Sequence, residues 1–356
     1  MDVVNKLWNF CHILRHDGVD YGDYIEQLTY LLFLKMADER NITIPQNCTW
    51  NTLTGLEGEE LLNHYSGLLE ILKSQKGILG DIFCQPIPRI QNPVNLKKLI
   101  ILIDNEDWSS MGVDVQGAAF EGLLERAASE GKKGAGQYFT PRPLIDAIVE
   151  VLQPDPLESD DFTISDVACG TAGFLTSAYE WHQKKNTKKR LTKAQKERIA
   201  KHTYFGQELV VRPRRLALMN LFLRGLEPQI ALGDTIYSKK PDASISCILT
   251  NPPFGTKGTS AAPDRDDFPI KTSNKQLNFL QHIASVLKKG GRAGVVLPDS
   301  CLSEDKATEV WKELMEYCNV HTVLKLPRGT FTPYAAGVKA CVVFFQKGKP
   351  TKKTWS

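Results

Sequence analysis

The sequence predicts an α/β protein in which a doubly wound, mostly parallel sheet follows an all-helical N-terminal domain. From residue 141 onward, short β-rich runs alternate with helical stretches, the pattern of parallel strands joined by crossover helices. Before residue 131 only helical periodicities occur, and no Asn-Gly hairpin signal interrupts them. Between the two, Gly131-Lys-Lys-Gly-Ala-Gly136 places three glycines in six residues and reads as a hinge. The expected division is 1–133 and 134–356, and a length of 356 residues fits two domains.

Each element follows from local pattern. Val3, Val4, Leu7, Trp8, Cys11 and Leu14 recur at helical spacing, and Tyr24–Arg40 is a second, more fully apolar helix. Glu59–Lys73, Asn95–Ile103 and Val113–Glu130 are further helices, while the segments around Pro45 and Gln85–Pro93 read as loops. In the second half the expected strands are Phe162–Val167, Thr203–Gly206, Ile245–Leu249, Ala293–Leu297, His321–Leu326 and Val338–Phe345. The expected helices are Pro141–Leu152, Gly173–Gln183, Arg214–Leu223, Gln276–Leu287 and Lys306–Tyr317. Ligands of such sheets bind at the carboxyl ends of strands, so the search for function begins there.

Composition narrows the class. With 42% hydrophobic and 24% charged residues the chain has a globular balance, which excludes disordered, collagen and coiled-coil readings. Eight cysteines stand singly, without a CxxC pair or a histidine at ligand spacing, arguing against a metal site or disulfide framework and for a reducing compartment. The N-terminus lacks a secretory pattern, and the most apolar window, Leu28–Met36, is far shorter than the roughly 20 residues of a membrane span. A soluble, cytoplasmic protein without a membrane partner is expected. Net charge is only +3, yet residues 1–120 carry −7 (9 basic, 16 acidic) and residues 121–356 carry +10 (35 basic, 25 acidic). Lys184–Lys201 alone sets nine basic residues against one acid.

Four strand ends carry candidate chemistry. Ile164-Ser-Asp-Val-Ala-Cys-Gly-Thr-Ala-Gly-Phe-Leu175 ends a strand in a glycine turn, with Asp166 before it and Gly170, Thr171, Ala172 and Gly173 within it. The G-x-x-G spacing departs from the G-x-G-x-x-G of nicotinamide sites, and alone it also fits a structural turn. Glu208 and Asp234 end the next two strands; a carboxylate at the second strand end can accept from both ribose hydroxyls, although either could instead cap a helix. The most specific feature is Asn251-Pro252-Pro253-Phe254 after the apolar strand Ile245–Leu249. Two prolines fix φ and remove two donors, which makes either a rigid strand-terminating turn or a rigid pair of acceptors beside an aromatic platform. If the Asn251 side-chain oxygen and the Pro252 carbonyl accept both hydrogens of a ring-bound amino group, its nitrogen becomes tetrahedral and its lone pair nucleophilic. Phe254 could stack on the ring.

In this order these residues resemble the S-adenosylmethionine-dependent amino-methyltransferases of DNA. Together with Gly136-Gln-Tyr-Phe-Thr-Pro-Arg-Pro143 upstream and the helical Tyr21–Met36 stretch, the chain looks like the modification subunit of Type I restriction-modification systems. The resemblance implies the methyltransferase sheet for 134–356, without the C-terminal helices usual in the family. It implies methyl transfer to adenine N6, with Asn251, Pro252, Pro253 and Phe254 holding the base. It implies cofactor contacts from Gln137, Tyr138, Phe139, Thr140, Pro141 and Arg142 at the methionine end, from Asp166 and Gly170–Gly173 beside them, from Glu208 to the ribose and from Asp234 to the adenine. Thr140 is expected to cap a helix whose first residue is Pro141. Implied partners are double-stranded DNA, a specificity subunit, a second modification subunit and, in the full complex, a restriction subunit. Gly255–Lys275 is too short to read sequence by itself. Alternatives are a cytosine-N4 or protein-glutamine acceptor, or a non-catalytic assembly subunit keeping the fold.

Overall fold

The computed structural model describes residues 2–108, 110–130, 140–239, 244–254, 261–303, 306–332 and 337–356. The proposed hinge Gly131–Gly136 and the candidate residues Gln137, Tyr138 and Phe139 lie outside these described residues. The chain divides into two units, one of residues 1–134 with 211–227 and the other of 135–210 with 228–356.

In the first unit, helices α1 (Asp2–His16), α2 (Tyr21–Glu39), α3 (Trp50–Gly55), α4 (Gly58–Leu72), α5 (Ile78–Ile82), α6 (Pro93–Asp104) and α7 (Val113–Glu130) surround the centre of α2. Asp20 caps α2 by accepting from the Asp23 amide, and Tyr24 through Leu34 is buried without a break. A helix buried on every side must pair its polar groups internally, and α2 does so with Glu26 and Gln27. Gln27 accepts from Tyr65 Oη (3.0 Å) and the Arg89 amide (3.1 Å) while donating to the Ile87 carbonyl (2.9 Å).

Helix α11 (Val211–Leu223) also belongs to this unit, although the sequence reading placed it in the 134–356 domain. Its arginines explain the assignment. Arg215 pairs with buried Glu26, donates to the Ile82 carbonyl at 2.6 Å and lies over the Tyr30 ring. Arg212 reaches the other Glu26 oxygen at 3.1 Å, Arg214 pairs with Asp81 at 2.7 Å, and Arg224, just past the helix, pairs with Glu121 at 2.6 Å. Hydrophobic periodicity marks a helix but does not name its partner, and here the ion pairs decide it.

The second unit is a seven-stranded sheet in the order β3-β2-β1-β4-β5-β7-β6. The strands are β1 (Ile164–Asp166), β2 (Tyr204–Glu208), β3 (Gln229–Leu232), β4 (Ile245–Thr250), β5 (Leu287–Pro298), β6 (Cys318–Lys325) and β7 (Ala340–Lys347). Strands β1 to β5 pair in parallel and β7 runs antiparallel between β5 and β6. This is the mostly parallel, doubly wound sheet expected. Every residue of β4 is buried, as a central parallel strand covered on both faces requires. The helices of this unit are α8 (Arg142–Leu152), α9 (Gly173–Lys185), α10 (Lys193–His202), α12 (Lys275–Val286) and α13 (Ala307–Tyr317). A Cβ at Gly294 of β5 would stand 2.8 Å from Leu152 and 2.9 Å from Ile148, so the absence of a side chain lets α8 lie close on the sheet. Half of the basic Lys184–Lys201 run forms α10, opened by a reciprocal Thr192–Gln195 capping box. No helix among the described residues is long and apolar enough to cross a membrane.

Replacing Arg215 by Ala breaks a buried pair and leaves Glu26 with Arg212 as its remaining cation, a class of change that costs about 3–5 kcal/mol. Denaturant unfolding of Arg215→Ala should show a loss of that size, and adding Glu26→Gln should recover part of it.

Candidate methyltransferase site

The strand order reverses between β1 and β4, and the site is built there. Ile164 pairs with Cys247 and Ser165 with Ile248, which sets Asp166 beside the end of β4. Asp166 Oδ1 accepts from Thr250 Oγ1 at 2.6 Å and from the Ala168 amide at 3.1 Å. Burial pushes this carboxyl up to about 7, against the pull of those two hydrogen bonds, and the charge of Glu208 adds to the rise.

The turn after β1 is shaped by two left-handed residues, Gly170 (φ 53°) and Ala172 (φ 67°). Ala172 occupies the N-cap position of α9, and its amide donates to the Cys169 carbonyl at 2.7 Å. Thr171 and Gly173 are half-buried in the same turn. Glu208 closes it: Oε2 accepts from the Gly170 amide and Oε1 from the Val210 amide, both at 2.9 Å. Each carboxylate oxygen keeps a lone pair, so Glu208 is fixed in place and still able to accept two hydroxyls. Asp234 Oδ1 accepts from the Ile236 and Tyr237 amides at 2.8 and 3.1 Å, capping the turn that follows β3 and leaving Oδ2 without a hydrogen bond among the described residues.

At the end of β4, Asn251 Nδ2 donates to Thr140 Oγ1 at 2.9 Å. This fixes the amide, and the opposite atom, Oδ1, is buried and accepts nothing among the described residues. Gln276 of α12 donates to the Pro253 carbonyl at 2.9 Å, and no hydrogen bond reaches the Pro252 carbonyl among the described residues. Phe254 is half-buried and set edge-on to buried Phe331, with ring centroids 5.7 Å apart.

Two expectations change. Thr140 is not the helix cap: α8 starts at Arg142, with Pro141 at the cap and Pro143 in the first turn, because Thr140 Oγ1 is taken up by Asn251. Arg142 is spent on Asp146 and Glu180 of its own unit, which removes it as a free cation for a ligand carboxylate. Sequence reasoning missed Thr250, Thr140 as the partner of Asn251, and Gln276. The first two adjoin the motifs quoted above, whereas nothing local marks Gln276.

At the switch point of a doubly wound sheet stands an acceptor, Asn251 Oδ1, that takes no hydrogen bond among the described residues, an arrangement suited to a methyltransferase acting on exocyclic amino groups. Comparison with known proteins makes it particular. A profile of the N-6 DNA methylase family matches residues 111–355, and one of the HsdM N-terminal domain matches residues 3–42. The Type I restriction enzyme StySPI methylase subunit of Salmonella potsdam is 41% identical over 98% of this chain and 67% of its own length. The EcoKI methylase subunit of Escherichia coli is 40% identical over the same shares. A chain solved in work on complex assembly and conformational transition of the type I R-M system superposes with a TM-score of 0.84 at 30% identity, over 99% of this chain and 75% of that one. The chain belongs to the N-6 DNA methylase family, and spans about two thirds of the length of these curated relatives.

The carboxyl of Asp166 gives a pH signature. Unfolded, it loses its proton near 3.8; folded, it keeps it to about 7. Across that window the unfolded state binds fewer protons, so stability falls as pH rises from 3.8 to 7 and is level above. Asp166→Asn should abolish this decline, and melting curves collected across the window should converge toward wild type at the acid end.

Proposed function

We propose that this chain transfers the methyl group of S-adenosylmethionine to N6 of an adenine in double-stranded DNA. It acts as the modification subunit of a Type I restriction-modification complex. The observation that carries the reading is the Asn251 amide, clamped by Thr140 on its nitrogen, with a buried oxygen on the other side that accepts nothing among the described residues. Leaving a buried acceptor unpaired costs about 1–3 kcal/mol, a cost that makes sense where a ligand donor completes the bond. Family membership selects adenine N6 over cytosine N4 and over a protein acceptor.

The residues fit the cofactor. Asp166 is a desolvated carboxylate that a nearby cationic centre would return to its charged form. Glu208 offers two fixed oxygens to ribose hydroxyls, and Asp234 offers Oδ2 to an adenine amino group. Gly170 to Gly173 let a ligand approach the backbone, and Thr140 and Pro141 lead into α8 beside them. When bound, S-adenosylmethionine supplies an electrophilic methyl group on its sulfonium.

The target adenine must leave the duplex stack, at a cost of a few kcal/mol. Asn251 Oδ1 and the Pro252 carbonyl accept its two amino hydrogens and draw the nitrogen lone pair out of the ring. Phe254 stacks on the base, held by Phe331. With its lone pair drawn out by Asn251 and Pro252, the nitrogen would take the methyl group that the bound cofactor supplies and would then shed a proton to solvent. Cys169 is buried in the turn and takes no covalent part.

Sequence reading falls to a separate specificity subunit, with a second modification subunit and a restriction subunit completing the assembly. The relatives are named as methylase subunits of Type I restriction enzymes, which is consistent with this division.

In the assembled complex, labelled cofactor should deliver label to N6-methyladenine. Asn251→Ala should lower turnover by at least about 100-fold, the scale of losing one transition-state acceptor, while calorimetry shows cofactor affinity nearly unchanged. Parallel loss of both would overturn the division of roles.

A further inference from the structure

We propose that Arg265 is a positioning residue that fastens the turn expected to hold the cofactor's adenine, Asp234–Ser238, to the segment downstream of the base-holding motif, 261–274. The inference rests on the reading of Asp234 and Asn251 given above. The Arg265 side chain is 5% exposed and its guanidinium spans two elements. Nη1 donates to the Thr235 carbonyl at 2.9 Å and the Ser238 carbonyl at 3.3 Å, both within the turn that Asp234 caps. Nε and Nη2 grip Asp267 as a fork at 2.9 and 2.6 Å, and Nη2 stands 3.1 Å from His282 Nδ1 on α12. A guanidinium only donates, so His282 Nδ1 is the acceptor. Burial opposes the charge on Asp267, but hydrogen bonds from Arg265 and Ser285 hold it down to about 2, which keeps the fork charged. The guanidinium also covers the Phe268 ring at 4.1 Å.

Helix α12 carries the connection to the motif. Its polar residues Gln276, Asn278, Gln281 and His282 are all buried. Asn278 donates to the Thr272 carbonyl, Gln281 bonds both backbone groups of Ile270, and Gln276 holds the Pro253 carbonyl. Thr235 Oγ1 donates to the Val167 carbonyl at 2.6 Å, one residue past Asp166. Tyr237 Oη donates to the Ala261 carbonyl at 2.8 Å from a side chain 44% exposed in all, a second and weaker tie between the same two segments. Hydrogen bonds therefore tie the Asp234 turn through Arg265 to His282 of α12, the helix whose Gln276 holds the Pro253 carbonyl. Only a planar fork can meet carbonyls and a carboxylate together, so lysine is a poor substitute.

The test measures S-adenosylmethionine affinity of the full chain by calorimetry for wild type, Arg265→Lys, Asp234→Asn, the double variant and Tyr237→Phe, with melting temperatures alongside. Arg265→Lys should weaken binding by about tenfold, the scale of coupled sites, and the double variant should lose far less than the product of the single losses. Turnover per folded molecule at saturating cofactor should also fall for Arg265→Lys, a change that a merely structural role would not produce. If Arg265→Lys fails to fold, Tyr237→Phe decides: weaker binding at a wild-type melting temperature supports the proposal, and unchanged binding overturns it. Strictly multiplicative losses overturn it as well. Absence of cofactor binding by wild type would sink the proposed function and this inference together, whereas wild-type binding with an unaffected Arg265→Lys sinks this inference alone.

Discussion

The hydrogen bond from Thr250 to Asp166 joins the two strands between which the sheet reverses its winding, and the remaining site geometry is measured from it. Strand β1 is only three residues long, and its pairing with β4 is fixed at Ile164 and Ser165. A slip of one residue would turn Thr250 to the opposite face of the sheet. Asp166 would then lose its strongest partner and remain buried. Because a desolvated carboxyl without that partner is costly, the register that sets Asp166 beside the end of β4 is also the one that the buried polar group enforces.

Preorganisation takes the same form at each strand end. Hydrogen bonds from main-chain amides or, at Asn251, from its own nitrogen to Thr140 fix an acceptor, and one lone pair or one whole oxygen takes no hydrogen bond among the described residues. Glu208 spends each oxygen on one amide, Asp234 spends Oδ1 on two, and Asn251 spends its nitrogen on Thr140. None of these side chains has to reorganise when a donor arrives, which is the condition under which fixed dipoles act most strongly on a reacting group.

Much of this was legible in the sequence because strands and their ends have local signals. The continuous apolar run of β4, the glycine turn after β1 and the acids at Glu208 and Asp234 are all read within a few residues. The less legible parts depend on partners distant in sequence. The polar residues of α12 look like a solvent-facing stripe until the 261–274 segment covers them. The arginines of α11 look like a solvated face until Glu26, Asp81 and Glu121 meet them. Thr140 carries the pattern of a helix cap, and only the approach of Asn251, 111 residues away, diverts its hydroxyl. A charged or hydroxyl side chain fits exposed and paired roles equally well until its neighbours are known.

The two strand-end carboxyls nearest the glycine turn are held by different partners. Glu208 accepts from two amides, while Asp166 is desolvated and further raised by the charge of Glu208. Both lie in a poorly solvated place, and a cation is the ligand charge that would draw the Asp166 carboxyl into its ionised form. The turn beside them contains Gly170 and Gly173 and no basic side chain of its own, and Arg142 of α8 is paired with Asp146 and Glu180. A glycine turn flanked by two buried carboxyls suits a positively charged centre more than an anion. This distinguishes it from phosphate-cradling glycine turns, whose positive helix termini and basic partners favour negative charge.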